Sequence, residues 1–444
     1  MTGLRSWIDE PGAETGASSG VCIRGWCFDP AGREIRGVRI RLDSRILAAR
    51  FGIPRPDVQA ALNGPPASAE SGFRLCVRLA PGLNQIRLEA DVDDQGWTEF
   101  HSLTLSSSWT EAMRHPFRMA MFWVDASLGR PRALSRLTPA EQGYVFARLE
   151  EKEGEHPLRL APHYPPRAIA PERFPKARLA AERLPKFTIV TPSYQQAAFL
   201  ESAIRSVLDQ EGVRLELIVQ DGGSTDGSVD ILRRYSNRLK YWASGSDNGQ
   251  ADAIARGFAH MEAGLDDVMG YLNSDDALMP GALRFVAEYF ARHPSVDAVY
   301  GHRVLIDEEG REVGRWFAPR RSCDDLRLQD LIPQETLFWR KRIWDRVGGV
   351  DRSFQFAVDW DLLLRFTAAG ARIVRLPWFL GIFRLHPNQK SQARMGELGG
   401  PEMDRLRERS LGHAPAPDEL VASMRRAQIE STLLRKWMRR GWRI

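Results

Sequence analysis

The second half of the chain is constrained most by an alternation of short apolar runs and helical segments. The apolar runs at 187–190, 215–219, 241–243 and 268–272 have the length of buried strands. Between the first two runs, Leu200, Ile204 and Val207 recur at the spacing of one helix face. Strands that alternate with helices predict a parallel sheet with helices on both faces. Ligands bind such sheets at the carboxyl ends of the strands.

Four polar clusters follow the predicted strands. Gly and Asp also make ordinary turns, so one cluster alone would indicate little. Four clusters at one edge of a sheet predict a shared ligand site. Their candidate residues are Thr191, Pro192, Ser193 and Tyr194; Asp221 and Gly222; Asp247 and Gln250; and Asn273, Ser274, Asp275 and Asp276.

The region 185–392 resembles an inverting family-2 glycosyltransferase of the GT-A fold, most specifically in the run Tyr-Leu-Asn-Ser-Asp-Asp at 271–276. The resemblance implies a Rossmann-like, mostly parallel α/β catalytic domain that binds a nucleotide-sugar. The residues at 191–194 would open the nucleotide pocket, Asp221 would pair with the uracil ring of UDP, and Asp247 and Gln250 would line the same pocket. Asn273 stands where the family usually has Asp.

Carboxylates suit the expected chemistry because a nucleoside diphosphate leaving group is strongly anionic. A hard divalent cation with oxygen ligands, Mg²⁺ or Mn²⁺, neutralises that charge. The resemblance implies that Asp276 binds the cation and that Asp275 binds the ribose or the cation. His386 is a further candidate ligand, with an ordinary structural histidine as the alternative.

Inversion also requires a base for the acceptor hydroxyl. The run 356–365 resembles the acidic–aromatic segment at the start of a helix in this family, although Val358 replaces the usual Glu. Asp359 is therefore the predicted base, Asp361 the second choice, and helix capping the alternative role. A helix N-terminus alone would lower the pKa of this carboxyl. Gln334, Glu335, Trp360 and Asp361 are predicted to lie on the acceptor side.

Residues 1–108 are predicted to form an all-β sandwich, because apolar and polar residues alternate at 38–42, 73–79 and 86–92. The segments 25–28, 55–58 and 71–73 resemble an immunoglobulin-like module attached to bacterial glycosyltransferases and methyltransferases, which implies a binding or positioning role. There is no Cys-x-x-Cys pair among Cys22, Cys27, Cys76 and Cys323, so a zinc site is not expected. The cysteines are predicted to be thiols.

Three further segments complete the predicted organisation. Residues 109–185 are a proline-rich connecting arm with a short helix starting at Thr138, 186–395 are the catalytic domain, and 396–444 are a basic helical tail. Leu433, Leu434 and Trp437 fall at helical spacing in the tail. Two alternatives stay open: the tail binds an anionic membrane surface, or it docks on the catalytic domain.

The net charge of +5 is low for a nucleic-acid binder, so no nucleic acid is expected as a partner. There is no signal-peptide h-region and no long apolar run, which predicts a cytoplasmic protein, with a peripheral location at the inner face of the membrane as the alternative. The expected function is sugar transfer from a UDP-linked donor to a saccharide or lipid-linked acceptor. The rival is a carbohydrate-binding or scaffold protein with an inactive transferase-like domain.

Two other enzyme classes fit less well. A sugar nucleotidyltransferase would need a Gly-rich loop with an Arg after the first strand, and the residues at 191–194 are not such a loop. A processive polymer synthase would usually have transmembrane helices and a Gln-x-x-Arg-Trp segment, and the sequence has neither.

Overall fold

The computed structural model describes residues 4–10, 20–42, 45–62, 64–80, 82–107, 158–320, 323–390 and 394–439, together with 119, 121–123, 126, 137–138, 141–146 and 149. The chain divides into two compact units, Met1–Gly154 and Glu155–Ile444. Most of the predicted arm at 109–157 lies outside the described residues. Within it, 141–146 are helical, and Thr138 and Glu141 cap this helix reciprocally, with the Thr138 amide donating to Glu141 Oε2 at 2.9 Å.

The described residues up to 107 of the first unit form mainly β-strands in two sheets, as predicted. Its sheets run in the orders β1-β2-β6-β5 and β4-β3-β7-β8. Ile23, Ile40, Phe73 and Leu88 belong to one apolar core that draws on both sheets. The immunoglobulin-like character stays a prediction. The elements are β1 (Arg5–Glu10), β2 (Gly20–Phe28), β3 (Ile35–Leu42), β4 (Arg45–Ala48), β5 (Arg50–Ile53), α1 (Pro56–Leu62), a 3-10 turn (Pro66–Glu70), β6 (Gly72–Arg78), β7 (Gly82–Val92) and β8 (Gly96–Ser107).

The cysteines of this unit differ from the prediction of thiols. Cys22 and Cys76 form a disulfide, because the antiparallel register of β2 and β6 places them directly opposite each other. Cys27 is a free, buried thiol, and burial raises its pKa to about 12. The side chain of Cys323 lies outside the described residues.

The second unit contains a nine-stranded sheet in the order β11-β10-β9-β12-β16-β14-β17-β13, with β15 paired to β14. The first four strands in this order are parallel, as the alternation predicts. The remaining strands are mixed, because β16 runs antiparallel to both of its neighbours. The strands are β9 (Phe187–Ser193), β10 (Leu215–Asp221), β11 (Tyr241–Ser244), β12 (Val268–Tyr271), β13 (Ala277–Leu278), β14 (Ala298–Ile306), β15 (Glu312–Trp316), β16 (Phe338–Arg340) and β17 (Ile373–Arg384).

Helices flank this sheet and follow its strands. The helix between β9 and β10 buries Leu200, Ile204 and Val207, the residues at the predicted helical spacing. The helices are α2 (Ala197–Leu208), α3 (Ser228–Tyr235), α4 (Gln250–Phe258), α5 (Ala282–Arg292), α6 (Cys323–Leu328), α7 (Lys341–Val347), α8 (Val358–Ala368), α9 (Gly400–Leu411) and α10 (Pro417–Arg439), with 3-10 turns at Ala181–Arg183 and Gln334–Thr336 and a π turn at Met395–Gly399.

The segment 158–179 packs on this sheet before its first strand begins. The His163 amide donates to the Val313 carbonyl at 2.7 Å, and Arg167 and Glu312 exchange backbone hydrogen bonds. The Phe174 ring stacks on Phe285 with 5.1 Å between ring centroids. This segment of the predicted arm is therefore part of the second unit.

The helix α10 docks on the second unit through the residues that the sequence singled out. Leu433, Leu434 and Trp437 are buried, and Ser431 Oγ donates to the Phe317 carbonyl at 2.7 Å. Of the two alternatives for the tail, the structure therefore favours docking. In the described part of the chain, no helix combines the length and apolar character that a membrane span requires.

Candidate active site

A cavity of about 760 Å³ opens at the carboxyl ends of the parallel strands. It gathers side chains from all four polar clusters and from the start of α8. Of the predicted site residues, it is lined by Pro192, Ser193, Tyr194, Gly222, Asp247, Gln250, Asn273, Ser274, Asp275, Asp276, Gln334, Glu335, Asp359 and Trp360. Thr191, Asp221, Asp361 and His386 lie behind this lining.

Asp221 ends β10 and organises the loop that follows it. Its buried carboxylate accepts hydrogen bonds from the amides of Gly223 and Ser224 and from the hydroxyls of Ser224 and Ser244, at 2.6–3.1 Å. This loop brings Gly222 to the cavity. A Cβ at Gly222 would lie 3.1 Å from Asp247 Oδ2 and 3.2 Å from the Tyr194 ring, so a larger residue would crowd the cavity wall.

A chain of side-chain hydrogen bonds crosses the cavity floor. Lys390 Nζ donates to Gln250 Oε1 at 2.6 Å, and Gln250 Nε2 donates to Asn273 Oδ1 at 2.6 Å. Asn273 Nδ2 in turn donates to Gln334 Oε1 at 3.2 Å. An ionised Asp at position 273 could accept from Gln250 but could not donate to Gln334. The Asn is therefore matched to this network.

Lys390 is largely shielded from solvent at the end of this chain. Burial lowers its pKa to about 8, although the negative charges of Asp359 and Glu402 act in the opposite direction. The side chain is therefore a cation with an accessible neutral form near neutral pH.

Asp275 and Asp276 lie side by side after β12. Asp276 is buried, and its Oδ1 accepts from the Arg384 amide at 3.2 Å. Burial, followed by the charges of Asp275 and Glu335, raises the pKa of Asp276 well above its usual value. His386 Nε2 lies 3.1 Å from Asp275 Oδ2, which places the imidazole beside the acidic pair.

The acidic pair offers oxygen ligands of the kind that a hard divalent cation prefers. Among the described residues, no group of three or more His, Cys, Asp or Glu side chains could hold a metal by itself. Mg²⁺ and similar ions are usually held by one or two carboxylates plus phosphate and water oxygens. Two adjacent carboxylates that repel each other therefore fit a cation that is completed by the substrate.

Asp359 is the second residue of α8 and is half-buried at the wall of the cavity. Burial raises its pKa, and this outweighs the backbone amides of Asp359 and Trp360 and the charge of Lys390, which lower it. The lowering expected from the helix N-terminus alone is therefore reversed. A carboxylate with a raised pKa is a better proton acceptor than a solvated one.

The start of α8 is held by a residue that the sequence analysis did not single out. Glu402 of α9 accepts hydrogen bonds from the amides of Gln355, Phe356 and Ala357 at 2.7, 2.8 and 2.9 Å. These three amides belong to the residues directly before α8, and Ala357 is the N-cap of that helix. No local pattern marks Glu402, because its partners lie far away in the sequence.

Two predicted acceptor-side residues make contacts that support the fold. Asp361 is fully buried and forms ion pairs with Arg365 and Arg409, both at 2.5 Å. The Trp360 ring is also buried, and its Nε1 donates to the Leu326 carbonyl at 2.7 Å. Asp361 thus joins α8 to α9 and is poorly placed as the second-choice base.

The central part of the second unit is similar to known proteins. Residues 188–349 match the family model "Glycosyl transferase family 2". The O-antigen biosynthesis protein RfbC of Myxococcus xanthus is 30% identical over 270 residues, which are 60% of this chain and 20% of RfbC. The chondroitin synthase of Escherichia coli is 28% identical over 198 residues, 43% of this chain and 27% of the synthase. The chain thus spans only a minor part of these relatives.

A solved structure was also found at low similarity. S. aureus TarS residues 1–349 in complex with UDP-GlcNAc gave a TM-score of 0.41 at 13% identity, with 58% of this chain and 92% of that chain covered. Residues 188–349 are thus similar to glycosyltransferase family 2 domains, and the sheet and flanking helices of this unit form a GT-A-like fold.

Proposed function

We propose that this chain transfers a sugar, of the hexosyl type, from a UDP-linked nucleotide-sugar to a hydroxyl group of a saccharide or lipid-linked acceptor, with inversion at the anomeric carbon. The observation that carries the proposal is the single cavity. Four strand-end clusters and Asp359, spread over the sequence from 191 to 359, line one space of about 760 Å³.

The donor would lie across the ends of β9, β10 and β12. Tyr194, Gly222 and Asp247 would receive the nucleoside, with Asp221 holding the loop in shape and Asp275 or Lys390 near the ribose and diphosphate. The geometry that supports this is the rigid loop around Asp221, whose carboxylate makes four hydrogen bonds.

Asp275 and Asp276 would hold Mg²⁺ or Mn²⁺, with His386 beside them. When bound, the cation would neutralise the negative charge that develops on the leaving diphosphate. The repulsion between Asp275, Asp276 and Glu335 supports this assignment, because a cation relieves it.

Asp359 would remove the proton from the acceptor hydroxyl while the oxygen of that hydroxyl forms a bond to the anomeric carbon. The bond from that carbon to the diphosphate oxygen breaks on the opposite face, and the UDP leaves with its electron pair. Asp359 is suited to this role because it lines the cavity and its pKa is raised by burial.

The relatives point to a pathway class. RfbC is named as an O-antigen biosynthesis protein and the E. coli relative as a chondroitin synthase. We therefore place this chain in the synthesis of a polysaccharide or a cell-envelope glycan.

Two measurements test the proposal together. Calorimetry should show UDP binding that strengthens on addition of Mn²⁺ or Mg²⁺, and a panel of nucleotide-sugars should reveal one that the protein hydrolyses slowly without an acceptor. The alternative, a carbohydrate-binding or scaffold protein, predicts neither metal-dependent UDP binding nor hydrolysis. That outcome would reject the transferase.

A further inference from the structure

One wall of the cavity is formed by elements other than those that carry the proposed nucleotide site. It is built from β14, β15, the 3-10 turn at Gln334–Thr336 and neighbouring loops, whereas the donor residues follow β9, β10 and β12. In the sheet, β16 separates β12 from β14. We call this surface the distal wall, and its defining residues are Leu158, Leu160, Arg303, Trp316, Leu331 and Glu335.

The polar part of the distal wall contains a buried donor without a hydrogen-bond partner. Trp316 Nε1 makes no hydrogen bond within the described part of the chain, whereas Arg303 Nε and Glu335 Oε1 have only each other, as an ion pair. Arg303 is 8% exposed and Trp316 is 3% exposed. Buried polar atoms are rarely left unpaired, because desolvation without a partner is costly. Atoms of this kind that line a cavity point to a hydrogen-bonding ligand.

The guanidinium of Arg303 is held in place by two aromatic rings. Its central carbon lies 4.7 Å from the centroid of the Trp316 ring and 4.7 Å from that of Phe383. Its Nε lies 3.2 Å from Glu335 Oε1. A fixed arginine beside a carboxylate offers donors and an acceptor together, which suits the paired hydroxyls of a sugar.

The charge beside the distal wall disfavours an acidic ligand. Two carboxylates, Asp330 and Glu335, line this part of the cavity against one basic side chain, Arg303. The one basic residue of the distal wall, Arg303, is already paired with Glu335. A carboxylate on the ligand would therefore meet net repulsion, whereas a neutral sugar would not.

The rest of the distal wall is apolar. Leu158 and Leu331 are largely buried, while Leu160 leaves 39% of its surface exposed beside them. Covering this surface would remove apolar area from water. An apolar strip that continues from a sugar-binding surface fits an apolar group attached to the sugar.

We infer that the distal wall is the acceptor subsite, and that the acceptor is a neutral sugar linked to an apolar aglycone. The inference rests on the proposed function, because it places the acceptor in the same cavity as the donor. Of the two acceptors left open, a free saccharide and a lipid-linked one, the inference favours the acceptor that is linked to an apolar group.

The first test compares matched ligands on the full chain with UDP and Mn²⁺ present. Methyl and hexyl β-glycosides of glucose, galactose, mannose and N-acetylglucosamine, with methyl glucuronide, are titrated by saturation-transfer NMR. Burying about two of the added CH₂ groups should make the preferred hexyl glycoside bind roughly tenfold tighter than its methyl partner. Equal affinity within every pair, no glycoside binding at all, or tighter binding of the glucuronide would overturn the inference.

The second test uses variants of the distal wall. Trp316→Phe removes Nε1 together with part of the indole ring and should weaken the methyl and hexyl glycosides alike, by about three- to tenfold. Leu160→Ser should remove the hexyl advantage and leave the methyl affinity unchanged. Leu265→Ser is the matched control, because Leu265 is an exposed leucine outside the cavity. A hexyl advantage that survives Leu160→Ser would refute the apolar strip.

UDP affinity, measured on each variant, separates this inference from the proposed function. Unchanged UDP affinity shows that the cavity is folded. If the glycosides bind as expected but UDP does not bind even to the unmodified protein, the transferase proposal fails, and the distal wall is a glycoside-binding surface but not an acceptor subsite. If UDP binds with metal but the glycoside pattern is absent, the subsite assignment fails and the transferase proposal stands.

Discussion

Asp359 combines burial with a position at a helix start, and these two influences on its carboxyl oppose each other. Because burial dominates, the pKa is raised, and the base should lose its proton only at a pH above that of a solvated carboxyl. The catalytic form is the anion, so turnover should fall as the pH drops through this raised pKa.

Substitution of the base tests its role directly. Asp359→Asn keeps the size of the side chain but cannot accept a proton, so turnover should fall ~10²–10⁴-fold while UDP affinity stays unchanged. Steady-state kinetics and calorimetry on the same variant decide this. Near-normal turnover would leave Asp359 with a capping role alone, since Asn is also a good helix cap.

The proposed role of Asp276 is to bind the cation and not to take part in the proton transfer. Asp276→Ala removes one of the two carboxylates proposed to hold the cation, so turnover should be abolished and the gain in UDP affinity on addition of Mn²⁺ should disappear. Calorimetry with and without a chelator measures the second effect. Turnover that persists in chelator would show that the cation assignment is wrong, and the circular dichroism spectrum serves as the folding control.

At the scale of elements, the position of Asp359 depends on contacts between α8 and α9. The Glu402 carboxylate pairs with three amides at the start of α8, and Asp361 joins the same two helices through Arg409. The predicted tail at 396–444 thus includes a support for the proposed base. Sequence periodicity could predict α8 and α9 as separate helices, but not that a side chain of one caps the other.

Removing this cap should affect stability and turnover together. Glu402→Ala leaves three amides without their acceptor, which should cost on the order of 1–3 kcal/mol of unfolding free energy. Turnover should fall while UDP affinity is retained, because the donor residues follow other strands. Glu408→Ala, an exposed glutamate on the same helix, is the matched control. A stable Glu402→Ala variant with normal turnover would contradict the capping role.

Glu312 holds the segment 164–170 to β15 through Tyr164, Arg167, Arg315 and the Ala170 amide. Burial alone would raise its pKa, but hydrogen bonds from these groups outweigh it and lower the pKa to about 2. With an ordinary value near 4.5 in the unfolded chain, the stabilisation is fully present above that pH and is lost as the pH falls towards 2.

A glutamine at this position should therefore have a pH-dependent effect. Glu312→Gln should lower the unfolding free energy by up to about 3 kcal/mol at pH 7. The difference from the unmodified protein should narrow below about pH 5, because the carboxylate of the unfolded chain becomes protonated first. Urea unfolding at pH 7, 5 and 4 measures it, with the exposed Glu309→Gln as control. A constant difference across this range would refute the linkage.

At the scale of the whole molecule, the second unit begins before the first predicted strand of the catalytic domain. The division falls at Gly154 and Glu155, whereas the sequence placed the domain start at 186. Glu288 also accepts hydrogen bonds from the amides of Arg178 and Leu179. A fragment that starts at 186 would lose these contacts and leave Glu288 and Glu312 without several of their partners.

Two truncations should therefore differ. The fragment 155–444 should fold cooperatively and bind UDP with the affinity of the full chain, whereas 186–444 should be insoluble or unfold at a clearly lower temperature. Thermal unfolding and calorimetry compare them. Equal stability of the two fragments would show that the segment 158–185 contributes little to the second unit.

Patterns in the sequence predicted those features of the structure that depend on residues close together in the chain. The parallel strands β9–β12 and the clusters at their ends follow from apolar runs and the residues directly after them, and most of these clusters line the cavity. The disulfide between Cys22 and Cys76 depends on strand register, and the cap by Glu402 depends on helix packing. Arg303 was detectable in principle, because a charged residue within the apolar strand 298–306 is unusual.

The distance in sequence between Asp359 and Glu402 has a consequence during synthesis of the chain. Translation delivers the donor loops and α8 before α9, so the proposed base emerges while the amides at its helix start still lack their acceptor. The nucleotide pocket can form at that stage, but the base is not yet held in place. A nascent chain could thus capture donor before it can use it, and competence for transfer would arise late, when α9 leaves the ribosome and docks.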